Sequence, residues 1–67
     1  MTHDIHSFAE ELRRQIREEM NVTCDVLAQG AAADFAHYKQ LSGTITGLAL
    51  AERYLLDLQQ KVKAADE

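Results

Sequence analysis

The 67-residue chain has no proline, no tryptophan and a single cysteine, and only four of its residues are aromatic. Each scarcity excludes something. Without proline, nothing forces a break in a helix. With Cys24 alone, no intrachain disulfide can form, and a lone thiol fits a reducing compartment better than a secreted setting. No apolar run reaches the roughly 18 residues of a membrane span. The opening Met1-Thr2-His3-Asp4 lacks the basic and then apolar segments of a signal peptide. These features lead to the expectation of a cytoplasmic, soluble protein with no membrane partner. Basic residues are also few. Seven Lys and Arg against eleven Asp and Glu leave a net charge of −4, which argues against a nucleic-acid ligand, because phosphate binding rests on Lys and Arg.

What remains is helical material. Ser7 and Glu10 have the spacing of a capping box. Phe8, Leu12, Ile16, Met20 and Cys24 recur every four residues, with Ile5, Ala9 and Leu27 alongside, a helical stripe. Glu10, Arg14, Arg17, Glu18, Asn21 and Asp25 occupy the opposite face, with Glu10/Arg14 and Arg14/Glu18 at supportive i,i+4 spacing. Asn21-Val22-Thr23 weakens the helix, but the stripe runs through it. Gly30 is the natural end, since glycine best takes the left-handed conformation there. Beyond it, either Ala31-Ala32-Ala33 re-enters helix or Asp34 caps a fresh start.

In the second segment Leu41, Ile45, Leu48, Leu55, Leu58 and Val62 form a seam with coiled-coil spacings. Glu52 and Gln59 lie close to it by angle; polar residues there can fix register at some cost in stability, but both are expected to point out at the seam's edge. Lys61 and Lys63 suit the C-terminal end of the helix dipole, and Ala65-Asp66-Glu67 should fray. The reading is a single all-α domain over 1–67, an antiparallel two-helix hairpin with helices over about 4–29 and 32–64. A turn at Gly30 sets Ile16 near Ile45, Leu12 near Leu48 to Leu50, Phe8 near Tyr54 and Ile5 near Leu58. One core in so short a chain supplies only about 3–5 kcal/mol, so completion by oligomerisation or a partner is expected.

Gly43-Thr44-Ile45-Thr46-Gly47 is the most informative stretch. Glycine and threonine inside a helix cost roughly 0.5–1 kcal/mol each relative to alanine, so a tolerated weak point or kink in a long helix, or failing that a short strand, is one reading. The other comes from projecting the helix at about 100° per residue. Ala36, Gly43, Gly47, Leu50, Ala51 and Tyr54 then fall along one side, adjoining the leucine seam, and the two glycines allow close approach of another helix. These six residues are the candidate partner interface, with Phe8 and Leu12 backing them.

Catalytic chemistry has little to stand on. His3, Asp4 and His6 lie in a solvated N-terminus rather than a closed ligand set. His37 is expected near the turn and exposed, and Cys24 is read as a small core residue. Arg13, Arg14 and Arg17 each have a glutamate within one turn. No catalytic, metal-binding or cofactor motif is present, and the expectation is a non-enzyme without cofactors.

The run Asp34-Phe35-Ala36-His37-Tyr38-Lys39-Gln40-Leu41-Ser42-Gly43-Thr44-Ile45-Thr46-Gly47-Leu48, continuing to about Val62, resembles short α-helical proteins of tailed bacteriophages. Their shared look is an acidic and aromatic start, then Tyr-Lys-x-Leu-x-Gly-x-Ile-x-Gly-Leu, then a leucine-bearing amphipathic helix. The resemblance implies a phage gene of the virion-assembly region and assigns no functional residues. It implies a structural or assembly protein in capsid, connector or tail, partnered by itself or by other virion proteins, located in the host cytoplasm and then in the particle. The alternative is a phage-encoded inhibitor or adaptor that binds a host protein.

Overall fold

The structure, a computed structural model, describes residues 2–30 and 34–66, with side chains described for 5–30 and 34–65. Two helices, α1 (Thr2–Ala28) and α2 (Phe35–Asp66), pack antiparallel as a hairpin, and no strand occurs among the described residues. The hairpin is a rod of 50 × 15 × 13 Å. The expected fold class holds, and the helix ends agree with the expected bounds to within a few residues.

Local chemistry sets both ends of the connection. Gly30 has φ +69°, and its N–H donates to the Leu27 carbonyl at 3.0 Å, the inner bond of a Schellman close. Asp34 then starts α2: its Oδ1 accepts from the His37 N–H at 2.8 Å, and its carbonyl accepts from the Tyr38 N–H at 2.9 Å. The fresh start at Asp34 is therefore the one adopted. Ala31-Ala32-Ala33 lie outside the described residues. The other end also differs from expectation, because α2 continues through Ala65 and Asp66.

Gly43 to Gly47 is helical throughout, which removes the strand reading. The threonines stay in register by turning their hydroxyls back on the helix. Thr44 Oγ1 donates to the Gln40 carbonyl at 3.1 Å and Thr46 Oγ1 to the Ser42 carbonyl at 3.0 Å.

The contact between the helices runs along a heptad seam, and it departs from the expected stripes. On α1 the contact follows His6, Ala9, Arg13, Ile16, Met20, Thr23 and Leu27, buried or half-buried at alternating steps of three and four, with Val26 half-buried beside it. On α2 it follows Leu41, Ile45, Leu48, Glu52, Leu55, Gln59 and Val62, with His37 and Ser42 half-buried beside it. Ile16 and Met20 of the expected α1 stripe face α2, whereas Phe8 (73% exposed), Leu12 and Cys24 are exposed. The reason is geometric. A strict every-four repeat gains about 40° per step, so it spirals off a partner that only a 3–4 alternation can follow. Leu58 fails for the same reason: it lies about 60° behind Leu55, while Gln59 lies about 40° ahead and takes the seam position.

The register also slips from the one centred on Gly30. Glu52 lies against both Arg13 and Arg17, so α2 is displaced by roughly one to two turns relative to the Ile16–Ile45 pairing. The six residues between the helices, rather than a tight turn at Gly30 alone, make room for the offset. Ile5 and Leu58, expected side by side, do line one groove.

Candidate interaction face

Two features of the hairpin carry what it can do, one inside the seam and one outside it. The inner feature is an ion cluster. Glu52 is 8% exposed and sits where a coiled coil ordinarily places leucine, between Leu48 and Leu55 of α2. Arg17 from α1 reaches it with two bonds, Nε to Oε2 at 2.6 Å and Nη2 to Oε1 at 3.0 Å, and Arg13 Nε adds a longer bond at 3.5 Å. The expectation that Glu52 points outward is overturned. Two guanidinium groups from α1 give the buried carboxylate the partners it needs, while their own side chains stay 40% and 53% exposed. Gln59 is likewise drawn half into the seam, and Thr23 is buried with its hydroxyl donated to the Glu19 carbonyl at 2.8 Å. No described buried side-chain polar atom lacks a partner.

Arg14, by contrast, stays on the surface of α1. It bonds Glu11 at 2.5 and 3.0 Å and Glu18 at 2.5 Å. The Arg14 guanidinium, with help from Gln15, lowers the Glu11 pKa from 4.5 to about 2, and these carboxylates raise that of Arg14. Arg13, Arg14 and Arg17 are therefore each engaged by glutamates of their own chain.

With the seam partly polar, apolar surface is left outside. Only Ala9, Ile16, Thr23 and Glu52 are buried among the described residues, and no described side chain is wholly enclosed. Ile5, Phe8, Leu12 and Leu58 line one groove of about 240 Å³ on a single side of the hairpin. Tyr54, four residues from Leu58 and 65% exposed, lies about 40° further round α2, and Leu50, 43% exposed, turns on to the helix's outer side, away from the seam.

All six expected interface residues, Ala36, Gly43, Gly47, Leu50, Ala51 and Tyr54, are exposed. A Cβ placed on Gly43 or Gly47 would meet nothing within 4 Å, so the first helix leaves the glycine strip open. Sequence reasoning missed Ile5 and Leu58 as members of this face. The signal was present in the four-residue spacing of the α1 stripe, whose rotation carries Phe8 and Leu12 out of the seam and onto this side.

The opposite side is wetter. His6, Glu10, Leu56, Gln59, Gln60 and Lys63 line a shallow depression there. At the start of α2, Phe35 and Tyr38 stack at 6.3 Å and Lys39 lies 5.9 Å from the Phe35 ring, so this aromatic pair is engaged with its own neighbours. His37 is half-buried rather than exposed. The side chains of His3 and Asp4 lie outside the described residues, and no group of three or more His, Cys, Asp or Glu that could hold a metal exists among those described. No described helix is long and apolar enough to cross a membrane.

Compared with protein-family models, curated proteins and solved structures, the chain matches none. The side chains themselves therefore carry the functional reading. The arrangement offers an apolar, partly grooved face.

Proposed function

We propose that this chain is a non-enzymatic assembly protein of a tailed-phage particle, in the capsid, connector or tail, and that it works by docking through its apolar face. The observation that carries the reading is the side formed by Ile5, Phe8, Leu12 and Leu58, with Tyr54 at its edge. Large apolar side chains stand in water there while Arg13, Glu52 and Gln59 occupy the seam. A contiguous exposed apolar surface marks an interaction site more often than an inert one. The resemblance of Asp34 to Val62 to small phage proteins supports the setting. On this reading the chain is found in the host cytoplasm during infection and in the virion afterwards.

The experiment is quantitative mass spectrometry of purified virions, with the infected-cell supernatant as control. The expected result is this chain at many copies per particle. Its absence from washed particles, while present in the supernatant, sinks the reading.

A further inference from the structure

The reading above leaves the occupant of the apolar face open, and the shape of the molecule narrows it. The chain exposes 5122 Å², against about 4,200 Å² for a folded monomer of its mass. Its radius of gyration is 15.4 Å, against about 11 Å for a compact domain of this length. The excess surface, about 900 Å², is close to the roughly 800 Å² that each partner contributes to a stable interface. One further layer of the same size would absorb it.

The face is also graded by size along the rod. Toward the chain ends it carries Phe8, Tyr54 and Leu58, and nearer the connection it carries Gly43 and Gly47, with open space above both glycines. The two groups on α2 are separated by about 16 Å of helix. A surface that is bulky at one end and bare at the other complements a copy of itself turned end for end.

We propose, resting on the docking reading of this face, that its occupant is a second copy of the chain. The two hairpins stack face to face and point in opposite directions about a two-fold axis near Leu50 and Ala51. Tyr54 of each copy then lies over Gly47 of the other, and Leu58 over Gly43, the reciprocal pairing that a two-fold axis requires. The register of the hairpin supplies an independent check. Glu52 lies between Arg13 and Arg17, so the same axis crosses α1 near Ile16 and Arg17. Leu12 then meets Val22, itself 57% exposed, and Phe8 meets the half-buried Val26. The outer pairs of both layers set apolar on apolar, while on α1 the exposed Gln15 and Glu19 meet beside the axis. Hairpins stacked in the same direction would instead set Phe8 on Leu58 and Glu19 over Gly47, leaving bulk against bulk and a gap over the glycines.

Sedimentation equilibrium of the purified full chain from low micromolar to about 200 μM tests the association, and spin-label distances test its geometry. A two-chain mass is expected. With Lys63→Cys labelled in a Cys24→Ala background, the labels should lie about 38 Å apart along the rod, from the helical rise. A distance under about 25 Å indicates the same-direction stack and overturns the proposal.

Gly47→Leu should raise the dissociation constant at least tenfold while circular dichroism shows the helix retained. Adding Tyr54→Ala in the same chain should restore association, because each copy then offers a small residue to the new leucine. Failure of that rescue, or a helical chain that stays monomeric throughout, overturns the second-copy assignment. Neither outcome bears on whether the chain is found in virions, and absence from virions leaves the dimer standing.

Discussion

Glu52 is the residue whose replacement most directly tests how the two arms are held. Its carboxylate is 8% exposed and accepts from Arg17 at 2.6 and 3.0 Å and from Arg13 at 3.5 Å. Glu52→Gln keeps the volume but removes the charge. Bonds to charged groups contribute about 1.5–3 kcal/mol each, and the exposure of both arginines reduces that range, so the expected net loss is about 1–3 kcal/mol. For a domain of this size that corresponds to a fall in Tm of roughly 5–20 °C. Glu52→Leu should behave differently. Burying leucine at this position contributes about 1.5–3 kcal/mol, and Arg13 and Arg17, already 40% and 53% exposed, can turn to water without stranding a buried charge. The expected order of stability is therefore Leu at or above Glu, with Gln lowest. Thermal and urea melts at one fixed protein concentration read it. A Glu52→Gln melt within about 0.5 kcal/mol of the unchanged chain refutes the claim that this cluster joins the arms, since that is the scatter of an inert surface change. A leucine variant less stable than the glutamine one refutes the argument that the seam position is intrinsically apolar.

Asp34→Ala should cost about 0.5–2 kcal/mol, read by urea denaturation, because it removes the cap on the His37 N–H while leaving Gly30 to close α1. Gly30→Ala should cost about 1–2 kcal/mol from the positive φ alone, since a Cβ there meets nothing else, and an unchanged melt counts against the left-handed close. Glu11 should titrate with a midpoint of about 2 by carboxyl NMR, and Arg14→Gln should return it toward 4.5. The sign follows from the lowered folded-state value: what this pair adds to stability is fully present above pH 4.5 and is lost as the pH falls toward about 2. A Glu11 midpoint near 4.5 in the unchanged chain rejects the pair.

Much of the architecture follows from local chemistry that the sequence spells out. Spacings of three and four in an unbroken, proline-free chain dictate helix, and Gly30 and Asp34 mark the two sides of the only connection. The bare strip at Gly43 and Gly47 was legible too, because a helical projection needs no partner to be drawn. What the sequence could not decide was which of several adjoining stripes would face the other arm. Phe8, Leu12 and Leu58 are as apolar as Ile16, Leu48 and Leu55, and hydrophobicity alone does not rank them. The choice belongs to the pair of helices, since only positions alternating by three and four stay in contact along the whole rod. That selection draws Glu52 inward, where Arg13 and Arg17 from the other arm can meet it, and turns Phe8 and Leu58 outward. Local propensity determined the helices and their ends, whereas the tertiary register decided which residues hold them together and which stay exposed.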